Sequence, residues 1–122
     1  MAAVGTRDTG AEKAVRSIVH RLGYRYSLRR TDLPGKPDLV FVSRKKVIFV
    51  HGCFWHGHSC RYGRLPKSRL DYWRPKLVAN KERDRVRARQ LRSSGWSVLT
   101  VWQCELKNGR RLEARIKDFL DE

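Results

Sequence analysis

Ten consecutive residues, HGCFWHGHSC from His51 to Cys60, hold three of the four histidines and two of the three cysteines in this chain. They follow VIFV, a β-branched run of the kind that forms a strand buried on both faces. Cys53-x4-His58-x-Cys60 has the close spacing of ligands in a structural zinc site, where four thiolate or imidazole groups surround the ion tetrahedrally. Cys104 supplies the fourth ligand if the strand before it lies beside VIFV, because both strands then end near one rim of a sheet. Four protein ligands leave no open position for water, so this zinc would be structural. The plainer alternative makes Cys53 a core thiol and leaves the histidines in solvent.

That ligand set leaves His51 and His56 over. Hydrolysis of a phosphodiester with Mg²⁺ needs a carboxylate to hold the hard cation and a base to orient the attacking water. Asp38 opens a strand-like segment after Pro37, and with a histidine following the neighbouring strand it would supply both. This is the layout of a PD-(D/E)xK nuclease core, although Val50-His51 stands where that signature has an acidic residue and a lysine. A simple strand cap is the competing role for Asp38. Asp84 falls on the stripe Leu77, Asn80, Asp84, Ala88 and Leu91 of an expected helix, and a carboxylate on an inner stripe is costly unless paired. Neither Asn80 nor Ala88 carries charge. Asp84 therefore pairs either with a histidine of the cluster, as an orienting group for a general base, or with Lys81 or Arg87 three residues away.

The elements that must carry these residues form one α/β unit spanning residues 1–122. Thr9-Gly10-Ala11-Glu12 has the form of a capping box, and Ala11, Ala14, Val15, Ile18, Val19 and Leu22 recur at helical spacing until Gly23. Strands are expected at Tyr24 to Arg30, Asp38 to Val42 and Lys46 to Val50. The prolines and glycine of TDLPGKPD make a turn that delivers Asp38 to the second strand. Pro66 to Trp73 is expected to be an irregular basic loop, and Arg74 to Arg92 a helix ending at Gly95. Trp96 to Trp102 is a further strand, and Leu112, Ile116, Phe119 and Leu120 mark a last helix. The order is α-β-β-β-α-β-α.

The 28 Lys plus Arg against 12 Asp plus Glu give a formal charge of +16. Such a surface attracts polyanions, nucleic acid first. An amphipathic basic helix with a wide apolar face, the mark of a membrane-surface protein, is not evident. The N-terminal MAAVGTRDTG lacks the pattern of an export signal, so a cytoplasmic location is expected. An odd number of cysteines without such a signal argues against a disulfide framework.

LPGKPDLVF, VIFVHGCFWHGHSC, YWRPKLVANKERDRV and LRSSGWSVLTVWQCEL, in that order, resemble the very-short-patch repair (Vsr) endonucleases, which nick mismatched DNA. The likeness covers nearly the whole chain from TRDTGAEK onward. It implies a PD-(D/E)xK-like, restriction-endonuclease-like α/β fold with a central mixed sheet flanked by helices and a structural zinc. It further implies Mg²⁺-dependent cutting of one strand 5′ to the thymine of a T:G mismatch left by deamination of 5-methylcytosine.

Carried over residue by residue, the resemblance makes Cys53, His58, Cys60 and Cys104 zinc ligands. Asp38 and the backbone carbonyl of Val50, where the family often has Thr, become Mg²⁺ ligands. His51 and His56 are the active-site histidines, with Asp84 partnering His56, and Glu12 is a further acidic residue near the site. Phe54, Trp55 and Trp73, otherwise ordinary core aromatics, match residues that wedge into the base stack beside the mismatch. Twelve Lys or Arg between Arg61 and Arg92 supply the phosphate grip, with Arg64, Lys67 and Arg69 as named candidates. The expected partner is duplex DNA bearing a T:G mismatch, engaged by a monomer, with other mismatch-repair proteins as further contacts. Family members usually carry a longer basic arm before TRDT. Only MAAVG precedes Thr6, so weaker or less selective binding is expected. A non-catalytic zinc module that binds distorted DNA would need the aromatics, zinc and charge alone. A restriction-type nuclease would cut both strands and act as a dimer.

Overall fold

The computed structural model describes residues 9–28, 32–53 and 70–122. Its elements follow the expected order: α1 (Thr9–Leu22), β1 (Ser27–Leu28), β2 (Leu39–Phe41), β3 (Lys46–His51), α2 (Leu70–Ser93), β4 (Ser97–Trp102) and α3 (Gly109–Asp121). The four strands form one mixed sheet in the order β1-β2-β3-β4. β1 and β2, and β2 and β3, pair antiparallel, whereas β3 and β4 run parallel. Parallel neighbours cannot be joined by a tight hairpin, and α2 is the crossover helix that connects them.

Alternation along the strands divides the core into two layers. Leu39 and Phe41 of β2, Ile48 of β3, and Leu99 and Val101 of β4 pack against Val15, Ile18 and Val19 of α1 and Leu112, Ile116 and Leu120 of α3. The intervening Val40, Val47 and Phe49 face the other way and meet Leu91 of α2, with Leu33, Trp96 and Val98 at the margin. The sheet therefore lies between α1 and α3 on one face and α2 on the other. The expected mixed sheet flanked by helices is present.

Four boundaries differ from the sequence reading. Only Ser27 and Leu28 of the first expected strand pair in the sheet, and residues 29–31 lie outside the described segments. β2 stops at Phe41 because Val42–Arg44 turns into a short 3-10 segment that closes on Lys45 in the left-handed region, φ 57°. β3 runs on through His51, paired with Trp102. α2 begins at Leu70, so Trp73 stands in its first turn and not in a loop. Pro75 sits in the second turn of this helix and leaves one helical hydrogen bond unmade.

The chain leaves α2 through Gly95, at φ +92°. Gly95 N–H donates to Arg92 O at 3.1 Å and Trp96 N–H to Leu91 O at 3.0 Å, the paired bonds of a glycine-terminated helix. That turn sends the chain straight into β4. At the same end of the sheet but on its other face, Arg44 Nη1 and Lys46 Nζ donate to carbonyls at the C-terminus of α3, where positive charge is favoured. Among the described residues, no helix is long and apolar enough to cross a membrane.

Candidate active site

On the α2 side of the sheet lies a cleft of about 820 Å³. Strand periodicity explains why side chains meet there: Phe49 and His51 of β3, and Thr100 and Trp102 of β4, lie two residues apart and share one face. All four line the cleft, together with Glu12, Asp38, Asn80, Asp84 and Ala88. Four of the five residues expected to do chemistry, Glu12, Asp38, His51 and Asp84, are thus gathered in one depression from four different elements.

Asp38 is held through both its backbone and its side chain. Its N–H donates to Ile48 O at 3.1 Å, and its carboxylate Oδ2 accepts from Val50 N–H at 2.6 Å. Carboxylate and backbone together continue the β2–β3 pairing one step past Leu39. The carbonyl of Ile48 and the amide of Val50 both turn toward β2, as two-residue alternation requires. The Val50 carbonyl shares that edge.

His51 is 8% exposed. Its ring lies 5.6 Å from Phe49 and 5.3 Å from Trp102, the latter edge-on at 75°. The parallel register sets His51 directly beside Trp102, so the imidazole is held between aromatic neighbours on two strands. Glu12 is only 3% exposed, with Arg16 Nη2 3.8 Å from Oε2 one helical turn away. Asp84 is half-buried on the sheet-facing side of α2.

The expected meeting of Cys53 with Cys104 rests on β3 and β4 ending together. They are parallel neighbours whose pairing closes at His51 with Trp102, and each cysteine follows two residues beyond. Cys53 is buried and Cys104 half-buried. The segment carrying Cys104 is pinned by Glu105, whose carboxylate accepts from Trp102 N–H at 2.9 Å and pairs with Arg115 at 2.7 Å. Among the described residues, no three or more His, Cys, Asp or Glu side chains are grouped to hold a metal. His58 and Cys60, the other two expected zinc ligands, lie outside the described residues, as do His56, Phe54, Trp55, Arg64, Lys67 and Arg69. Trp73 is half-buried and stacks edge-on against Tyr72 at 4.9 Å.

Sequence reasoning passed over several cleft residues. Phe49, Thr100 and Trp102 carry a signal only once the strand register is known. Lys36 was hidden in a turn, and Arg87 stood in the sequence reading only as an ion-pair partner for Asp84.

The fold is like that of a nuclease catalytic domain. The catalytic domain of the homing endonuclease I-Bth0305I superposes with a TM-score of 0.62, covering 89% of this chain and 91% of that domain at 18% identity. Residues 1–62 match the family model described as DNA mismatch endonuclease Vsr. A type II nicking enzyme of Xanthomonas oryzae, V.XorIIP, is 58% identical over 99% of this chain and 89% of its own length. The DNA mismatch endonuclease Vsr of Escherichia coli is 41% identical over 92% of this chain and 72% of its own. The chain belongs to the Vsr family of DNA mismatch endonucleases.

Proposed function

We propose that this protein is a Mg²⁺-dependent DNA endonuclease that nicks one strand of a duplex 5′ to the thymine of a T:G mismatch. The observation that carries the reading is the cleft itself, in which Asp38, fixed by the Val50 amide, is gathered with Glu12, His51 and Asp84. The names of the relatives, a mismatch endonuclease and nicking enzymes, support the reaction class.

The donor set suits a hard cation: the Asp38 carboxylate and the Val50 carbonyl lie along one strand edge and offer oxygen only. Bound there, Mg²⁺ would neutralise charge building on the phosphoryl oxygens. The side chains of the protein do the remaining work. His56, oriented by Asp84, accepts a proton from the attacking water as its oxygen bonds to phosphorus. His51, restrained by Phe49 and Trp102, faces the phosphate or the oxygen that leaves when the old P–O bond breaks. Phe54, Trp55 and Trp73 open the stack at the mismatch, where a wobble pair resists unstacking less than a matched one. Cys53, His58, Cys60 and Cys104 hold a structural zinc that ties the His51–Cys60 segment to the end of β4.

The test is strand-specific cleavage of a labelled duplex with one T:G mismatch, run beside T:A and C:G duplexes and the Asp38→Ala protein. A single Mg²⁺-dependent nick beside the mismatched thymine, lost in Asp38→Ala, is expected. Binding without cleavage would point to a non-catalytic module, and equal cutting of matched duplexes would remove the mismatch specificity.

A further inference from the structure

Lys36, Lys76, Lys81, Arg83, Arg85 and Arg87 all line the cleft, and Arg87 is set apart from the others by how it is held, with Lys36 in the turn that holds it. Gly35 and Lys36 both lie in the left-handed region, at φ +76° and +50°. This turn, closed by Lys36 N–H donating to Leu33 O at 3.2 Å, passes so close to α2 that a Cβ on Gly35 would stand 3.0 Å from Arg87 Cδ and 3.1 Å from Phe49 Cε1. The aliphatic stem of Arg87 is therefore clamped between the turn and the sheet while its guanidinium remains at the cleft, an arrangement that spares the entropy normally lost when a long side chain is fixed. Arg87 is half-buried, unlike Arg83, Arg85 and Arg89 on the same helix, which are exposed. Among the described residues, no carboxylate forms an ion pair with Arg87.

The placement of the pair also has a regular relation to the proposed chemistry. Lys36 lies two residues before Asp38, at most about 7 Å of chain away. Arg87 lies three residues after Asp84, about 4.5 Å along the helix. Both are displaced by one step from a reactive carboxylate, and the Gly35 contact brings them to the same end of the cleft.

Resting on the nuclease reading above, we propose that Arg87 and Lys36 together bind one backbone phosphate of the DNA, adjacent to the scissile phosphate, and so set which phosphodiester meets Asp38. A guanidinium with a fixed stem can present its planar N–H pair to two phosphate oxygens, with the lysine adding a point charge from the adjoining turn.

The experiment measures affinity for a T:G duplex across a salt series in Mg²⁺-free buffer, for the parent protein, Arg87→Ala, Lys36→Ala, the double variant, Arg87→Lys and Arg89→Ala. Each phosphate contact contributes about 0.9 to the slope of log affinity against log salt. The double variant should lose about 0.9, since both cations serve one phosphate, whereas Arg87→Lys should keep the parent slope and Arg89→Ala should change it less than Arg87→Ala. Nick position is read in parallel with Mg²⁺, and the double variant should spread its cuts to neighbouring phosphodiesters. A double-variant slope equal to the parent's would overturn the site, and a loss near twice that size would overturn the sharing of one phosphate. Melting temperatures identify any variant that fails to fold, and Gly35→Ala, which displaces Arg87 without removing charge, then stands in: its cuts should spread, and unchanged cutting would sink the positioning role. Failure of the nuclease reading would appear in the parent protein itself, as binding without any nick.

Discussion

One side chain, Asp38, shows how the fold fixes a cleft carboxylate before any ligand arrives. Its Oδ2 is engaged by a main-chain amide of the neighbouring strand, so the carboxylate cannot swing away without breaking a charge-assisted bond. Asp38→Asn can keep an oxygen facing that amide while removing the charge. Cleavage by this variant should fall by about 100-fold or more, as when one electrostatic stabiliser is deleted from an active site, and stability should change by only about 1 kcal/mol. Asp38→Ala should lose activity equally but cost about 1–3 kcal/mol, because the Val50 N–H is then left without its acceptor. Single-turnover cleavage and urea titration of both variants separate the two effects. Equal stability of Asn and Ala would show that the hydrogen bond contributes little to holding β2 on β3.

α2 is the element on which the cleft depends, and it is attached to the sheet through few apolar groups. Leu91 is fully buried and meets Val40, Val47 and Phe49, so Leu91→Ala should cost about 2–5 kcal/mol. Two glycines give a sharper comparison. An alanine at Gly95 meets nothing within 4 Å and should cost only the left-handed penalty, about 1–2 kcal/mol. At Gly35 the same penalty is joined by contacts of 3.0 and 3.1 Å with Arg87 and Phe49, and the loss in urea titrations should be larger. Equal costs would mean that the turn yields freely and does not grip Arg87. The order of elements was legible in the sequence because each helix and strand carries its own period and its own glycine or proline punctuation. Asp38 and Asp84 were legible for a related reason, each breaking a local pattern: one opens an apolar strand, the other interrupts an inner helical stripe. The start of α2 was not, since Leu70 to Trp73 adjoin a proline-bearing basic run that carries no helical period of its own. Nor was the approach of Gly35 to Arg87, because a contact between residues fifty-two positions apart leaves no mark on either segment's periodicity. The aromatic neighbours of His51 needed the parallel register of β3 with β4, which only tertiary structure fixes.

For the molecule as a whole, charge and metal act on different quantities. If zinc joins Cys53, His58, Cys60 and Cys104, its binding energy is folding energy, and removing it with a chelator should lower the melting temperature of the whole domain. Cys104→Ser should reproduce that loss without a chelator. A melting temperature indifferent to both would remove the zinc. The net charge of +16 works on DNA instead, through phosphates that every duplex possesses. Raising the salt should therefore weaken binding to mismatched and matched duplexes along nearly parallel lines. On the proposed function, the gap between those lines measures what the proposed aromatic wedge and the wobble pair contribute, and it should persist where non-specific affinity has largely gone. Titrations of T:G and T:A duplexes from low to moderate salt test this directly. Lines that converge as salt rises would mean that discrimination itself depends on extra phosphate contacts made only on the distorted duplex, and the basic face of α2 would then be the place to look for them.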